Sequence, residues 1–178
     1  MREAYFHEDD YCQTELLPIA NLQHCRDQLG EIESFSAQHK SEFGWTDMYV
    51  RPDAPQTLAD CRITLIELQR VLGQFLPTFD RVMTGYSTYK KPCQNTIAFG
   101  ADTNLILFAA HDGEFIITLW LTIFGLSEHD AELASRVLKQ MSQWRLLLVD
   151  WSMSALVALN ETDAVERYLA EFRASDDS

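Results

Sequence analysis

Residues Phe115 to Phe124 read as one apolar run broken only by Thr118 and Thr122. A strand with one wet face alternates apolar and polar residues, whereas this run offers apolar groups to both sides. It therefore belongs at the centre of a sheet that is covered above and below. Counted through Gly125, the run is 11 residues, well short of the roughly 20 that a membrane-spanning helix needs. Immediately before it, Asp112-Gly113 sits between His111 and Glu114 with strand-like runs on either side. Two adjacent residues that tolerate positive φ are a strong hairpin signal.

Other strands gather around this one. Phe79 to Tyr86 is the first of the central group, and Tyr86 to Cys93 reads as a connection holding the only adjacent basic pair, Lys90-Lys91. Thr96 to Phe99 and Leu105 to Phe108 flank a turn at Gly100-Ala101-Asp102-Thr103. Leu146 to Val149 and Ala155 to Leu159 form a further hairpin pattern. Near the start, Tyr5-Phe6-His7 and Tyr11 to Leu16 flank the acidic turn Glu8-Asp9-Asp10, so residues 3–17 read as a hairpin that Pro18 ends.

Helical periods fill the gaps. Ile19, Leu22, Cys25, Leu29, Ile32 and Phe35 make one apolar stripe, in which Gly30 costs roughly 1 kcal/mol relative to Ala. A second helix runs from about Thr64 to Leu76, with capping-box spacing between Thr64 and Glu67 and Pro77 just past its end. Its apolar residues point several ways, which predicts thorough burial. Ser127 caps a third helix that turns Leu133, Val137, Leu138, Met141 and Trp144 inward. A fourth begins at Thr162, with Val165, Tyr168, Leu169 and Phe172 on one face. Gly44, Pro52 and Pro55 make 40–57 a loop, and Trp45, Met48 and Tyr49 are expected to pin it to the body, with an exposed aromatic loop as the alternative. The expected architecture is one α+β domain over residues 1–173, a largely antiparallel sheet meander with about four helices packed mainly on one face. Residues 174–178 are expected to be a disordered acidic tail.

Charge narrows the function. The chain of 178 residues carries 27 acidic and 14 basic side chains, a formal net charge of −13. Its hydrophobic fraction of 47% supports a core, so this charge does not imply disorder. Such a surface repels nucleic acid and anionic membranes and attracts basic partners. Some acids have local reasons: Glu128, Asp130 and Glu132, then Glu161, Asp163 and Glu166, open helices whose dipoles favour them. The opening Met1 to Asp10 has no apolar core of a signal peptide, and Cys12, Cys25, Cys61 and Cys93 form no C-x-x-C pair. Free thiols in a soluble, cytoplasmic protein are expected.

No nucleophile elbow, phosphate-binding loop, zinc-protease motif or EF-hand occurs. Lys90-Lys91 is too small a patch for nucleic acid. The segment His7-Glu8-Asp9-Asp10, with Cys12 beside it, is read as a solvated turn, with a surface recognition tip and a metal or catalytic site as its alternatives. His24 and Cys25 diverge by about 100° on a helix and make no catalytic pair. Cys25 fits the core stripe, and His111 and His129 read as surface residues. Asp150, at the end of an apolar strand, is read as opening the turn through Ser152-Met153-Ser154, against a catalytic alternative. No catalytic residue, metal ligand or cofactor is assigned.

The hairpin-like opening from Tyr5 to Leu17 resembles that of small acidic bacterial proteins encoded beside toxin genes. So does Leu146-Leu147-Leu148-Val149-Asp150-Trp151 with the hairpin and helix through Tyr168-Leu169. The resemblance implies an immunity-type protein, a stoichiometric inhibitor of a cognate toxin. Such proteins have many unrelated folds, so it transfers no binding residue. Three functions follow as expectations. The first is a non-catalytic protein-binding module that occludes a basic toxin, using Glu8, Asp9, Asp10, Trp45, Asp47 and Tyr49. The second is a homo-oligomeric structural or regulatory module. The third is a small enzyme or ligand binder with a sheet-face pocket drawing on His7, Asp150 and His111.

Overall fold

A computed structural model describes residues 1–42, 44–86, 88–102 and 104–173. Residues 174–178, expected to form a tail, lie outside the described residues, as does Thr103 of the expected turn. The chain is α+β. Its strands are β1 (Glu3–His7), β2 (Thr14–Pro18), β3 (Lys40–Ser41), β4 (Gly44–Trp45), β5 (Arg81–Tyr86), β6 (Tyr89–Pro92), β7 (Thr96–Phe99), β8 (Leu105–His111), β9 (Ile116–Ile123), β10 (Leu146–Asp150) and β11 (Ala155–Ala158). Its helices are α1 (Leu22–His39), α2 (Leu65–Leu72), α3 (Glu128–Met141) and α4 (Thr162–Ala170).

Six strands form the main sheet in the order β11-β10-β2-β9-β8-β7, all paired antiparallel. The apolar run is β9, an interior strand as its composition requires. Leu119, Leu121 and Ile123 face one core cluster and Trp120 the opposite one. The strand's ends emerge from cover, with Ile117 and Phe124 exposed. The Asp112-Gly113 hairpin joins β8 to β9. Gly113 takes a positive φ, and the Asp112 carboxylate accepts from the backbone N–H groups of Glu114 and Phe115. Those two bonds hold Asp112 below its usual carboxylate range.

One face of the main sheet is covered by α2, α3 and α4. Leu16, Leu107, Leu119 and Leu148 meet Leu68, Leu72, Val137, Met141, Val165 and Leu169 in this cluster. Burying each such side chain is worth about 1.5–3 kcal/mol. The other face is covered in two pieces. α1 packs Cys25 and Leu29 over Leu147, Val149 and Trp151. A small sheet, ordered β1-β5-β6, packs Ala4, Phe6 and Val82 over Ile106, Phe108 and Trp120. Three of the four helices thus share one face. Among the described residues no helix is long and apolar enough to cross a membrane.

The structure corrects four local expectations. Residues 3–17 are not a hairpin. β1 pairs parallel with β5, whereas β2 lies between β10 and β9. Glu8–Asp10 form a 3-10 turn and Cys12 takes φ 56°, which turns the chain out of the line of β1. Ala4 and Phe6 then bury into one cluster and Leu16 into another. Tyr89–Pro92 is a strand and not a bare connection; it is an exposed edge whose lysines and proline discourage further pairing. α2 ends at Leu72, and Ile66 is 77% exposed, so that helix is buried along one side only. The loop 40–57 begins with a two-residue β3–β4 ladder, Lys40 opposite Trp45 and Ser41 opposite Gly44.

Candidate functional site

β4 and the loop that follows it present large apolar groups to solvent. Trp45 is 64%, Met48 80% and Val50 81% exposed. Trp45 and Met48 therefore do not pin the loop to the body. The β3–β4 ladder, extended by a 2.9 Å bond from the Thr46 N–H to the His39 carbonyl, carries Trp45 beyond the end of α1. Asp47 accepts from the N–H of Met48 at 2.8 Å and holds the backbone there.

Two other residues tether this loop. The Tyr49 hydroxyl lies 2.6 Å from Glu31 Oε2 and 2.9 Å from Gln28 Oε1, and its ring packs on Phe35. The bond to the Glu31 carboxylate holds the phenol above its ordinary pKa. Arg51 donates to Glu15 Oε1 at 3.0 Å and stands over the Trp151 ring, 4.0 Å from its centroid. Glu15 Oε1 also accepts from the Trp151 indole N–H at 2.7 Å. The Glu15 side chain is 13% exposed, so Arg51 supplies the counter-charge that a largely hidden carboxylate needs. Glu15, Arg51 and Trp151, with His24, Leu58 and Ile117, line a cleft of about 360 Å³ between the loop and the main sheet.

Glu8, Asp9 and Asp10 lie on the 3-10 turn after β1, beside the small sheet. Lys91 sits 2.9 Å from Glu8 and lowers its carboxyl pKa. His7 Nδ1 accepts from the Asp9 N–H at 3.3 Å, and its ring meets Tyr86 edge-on. Part of the acidic tip is thus neutralised by its own neighbours. No described contact joins Glu8, Asp9 or Asp10 to Trp45, Asp47 or Tyr49. The chain beyond each group converges at Arg51, whose Nη2 reaches the Cys12 carbonyl at 3.4 Å.

The titratable groups considered for catalysis are each held by a separate local structure. Asp150 is buried; its Oδ1 accepts from the N–H of Ser152 and of Met153, and its Oδ2 accepts from the Tyr168 hydroxyl at 2.7 Å. It opens its turn as expected and also ties that turn to α4. His111 Nδ1 accepts from the Gly113 N–H at the β8–β9 hairpin. Cys25 is fully buried in the α1 interface. Among the described residues no group of three or more His, Cys, Asp or Glu could hold a metal ion.

No local pattern in the sequence marks Arg51 as a tether. Its loop has no periodicity, and Glu15 in β2 and Trp151 just past β10 lie far from it along the chain. The signal available was its isolation: a cation between Val50 and Pro52 in a segment lacking regular structure. Compared with protein-family models, curated proteins and solved structures, the chain matches none.

Proposed function

We propose that this chain is a non-catalytic protein-binding module acting in the cytoplasm, most concretely an immunity-type inhibitor that occludes a basic cognate toxin. The observation that carries this reading is the exposure of Trp45, Met48 and Val50 within six residues of chain that Tyr49 and Arg51 hold in place. Large exposed apolar groups cost a protein solubility and mark contact surfaces when they gather in one place. Trp is among the residues that most often anchor an interface, and a tethered loop loses less entropy on binding than a free one.

Charge supplies the partner class. Glu42 and Asp47 flank the apolar groups, Glu31 lies on the adjoining face of α1, and the whole chain carries −13. A basic surface would be drawn in quickly and held in register, with an association rate that falls as salt rises. The four cysteines are free thiols, which supports a reducing compartment.

The test is complex formation between the purified chain and the product of the neighbouring gene. The reading expects a tight one-to-one complex, an association rate that drops with added salt, and loss of the toxin's activity in the complex. A neighbour from an unrelated pathway whose product shows no binding overturns it.

A further inference from the structure

The cleft of about 360 Å³ beside Arg51 holds more polar capacity than its own contacts use. Glu15 Oε1 takes both bonds that the carboxylate receives, one from Arg51 and one from the Trp151 indole. Glu15 Oε2 accepts none among the described residues. Nor is it one of their buried side-chain atoms without a partner, which are Thr84 Oγ1 and Trp120 Nε1. Oε2 therefore keeps accessible surface, on a side chain that lines the cleft. Arg51 also has donors to spare. Its Nη1 donates to Glu15 and its Nη2 to the Cys12 carbonyl. A guanidinium carries more N–H groups than those two bonds use, and this side chain is 28% exposed.

Two more groups line the cleft, His24 from α1 and Asp53 from the loop, and neither side chain has a hydrogen bond or ion pair with a described residue. Leu16, Leu58 and Ile117 add aliphatic wall. An apolar lining with a few placed polar groups is the build of a ligand pocket, and this volume, near the lower end of the range for such pockets, suits a small molecule. Charge selects among small molecules. A lone cation would compete with Arg51 for Glu15. A lone anion would compete with Glu15 for Arg51 and would meet the Asp53 carboxylate. A zwitterion satisfies both signs at once: its carboxylate pairs with Arg51 and His24, its ammonium with Glu15 Oε2 and Asp53.

We propose that this cleft binds a free α-amino acid with an aliphatic side chain, held by its carboxylate at Arg51 and His24, by its ammonium at Glu15 and Asp53, and by its side chain against Leu58 and Ile117. The site does not depend on Trp45 or Met48 and stands whether or not those residues contact a toxin.

The experiment titrates L-leucine into isotope-labelled full-length protein and follows backbone amide shifts, beside two probes that each lack one of its charges. Isocaproate lacks the ammonium, and isoamylamine lacks the carboxylate. Expected are shifts at Glu15, His24 and Asp53, with leucine binding at least about tenfold more tightly than either probe, the worth of one hydrogen bond to a charged group. Asp53 is exposed, so Asp53→Asn should fold as wild type does. It should weaken leucine about fivefold and should not weaken isocaproate. No shift at these residues, or leucine binding no tighter than the one-charge probes, overturns the proposal. Leucine affinity unchanged in Asp53→Asn overturns the assignment of the ammonium to this end of the cleft.

Discussion

The Arg51 guanidinium carbon lies 4.0 Å from the centre of the Trp151 ring, and its Nη1 lies 3.0 Å from Glu15. One side chain thus tethers an irregular loop to β2 and to the turn that follows β10. Arg51→Ala would leave Glu15 largely buried without its cation, and we expect a loss of about 2 kcal/mol, less than for a fully buried pair. Arg51→Lys should recover only part, because an ammonium lacks the planar face that stacks on indole. Chemical denaturation measures both losses. Hydrogen exchange in Arg51→Ala should quicken at 46–57 and remain slow in β10.

The cysteines set the alkaline limit of stability. Burial pushes the Cys12 thiol up to about 12 and the Cys25 thiol up to about 11, from an ordinary value of 9.0. Above pH 9 the unfolded chain releases these protons while the folded chain keeps them. The unfolded state then binds fewer protons, so stability falls as pH rises towards 12. The Tyr168 hydroxyl, buried against Asp150, is also shifted upward and adds to the decline above its ordinary value of 10.0. Cys12→Ala should flatten the fall, as read from denaturation midpoints across this range. An unchanged slope would show that Cys12 does not contribute.

Two glycines should respond oppositely to alanine. Gly85 has φ 144°, and a Cβ there would strike the backbone carbonyl of Tyr89 across the β5–β6 pair. Gly85→Ala is expected to destabilise by about 2 kcal/mol or more. Gly30 lies on the exposed side of α1 with nothing within 4 Å of the added atom. Gly30→Ala should stabilise by roughly 0.5–1 kcal/mol. Thermal melts of the two variants check both signs.

The elements that sequence made legible were those whose signal is local. Thr64 and Ser127 each accept from the N–H three residues on, as their spacing predicts. The β9 run declared its interior position because no exposed strand tolerates so few polar residues. Pairing between distant strands was not legible. The acidic turn at Glu8–Asp10 looks the same whether the next strand returns beside β1 or leaves for another sheet. That choice is made by β5 and β10, far along the chain. Exposure was hidden for a similar reason: Trp45 and Met48 are residue types usually buried, and the β3–β4 ladder alone carries them outward. The Asp150 turn was readable from its own residues, whereas its bond to Tyr168 depended on where α4 docks.

Calorimetric titration of the neighbouring gene's product against wild type and the Trp45→Ala/Met48→Ala variant measures whether the Trp45 loop is the contact surface. Both side chains are mostly exposed, so the variant should melt within about 0.5 kcal/mol of wild type. Its affinity should fall at least about thirtyfold, as for an interface that has lost its anchor. An affinity equal to that of wild type would place the contact surface elsewhere on the protein.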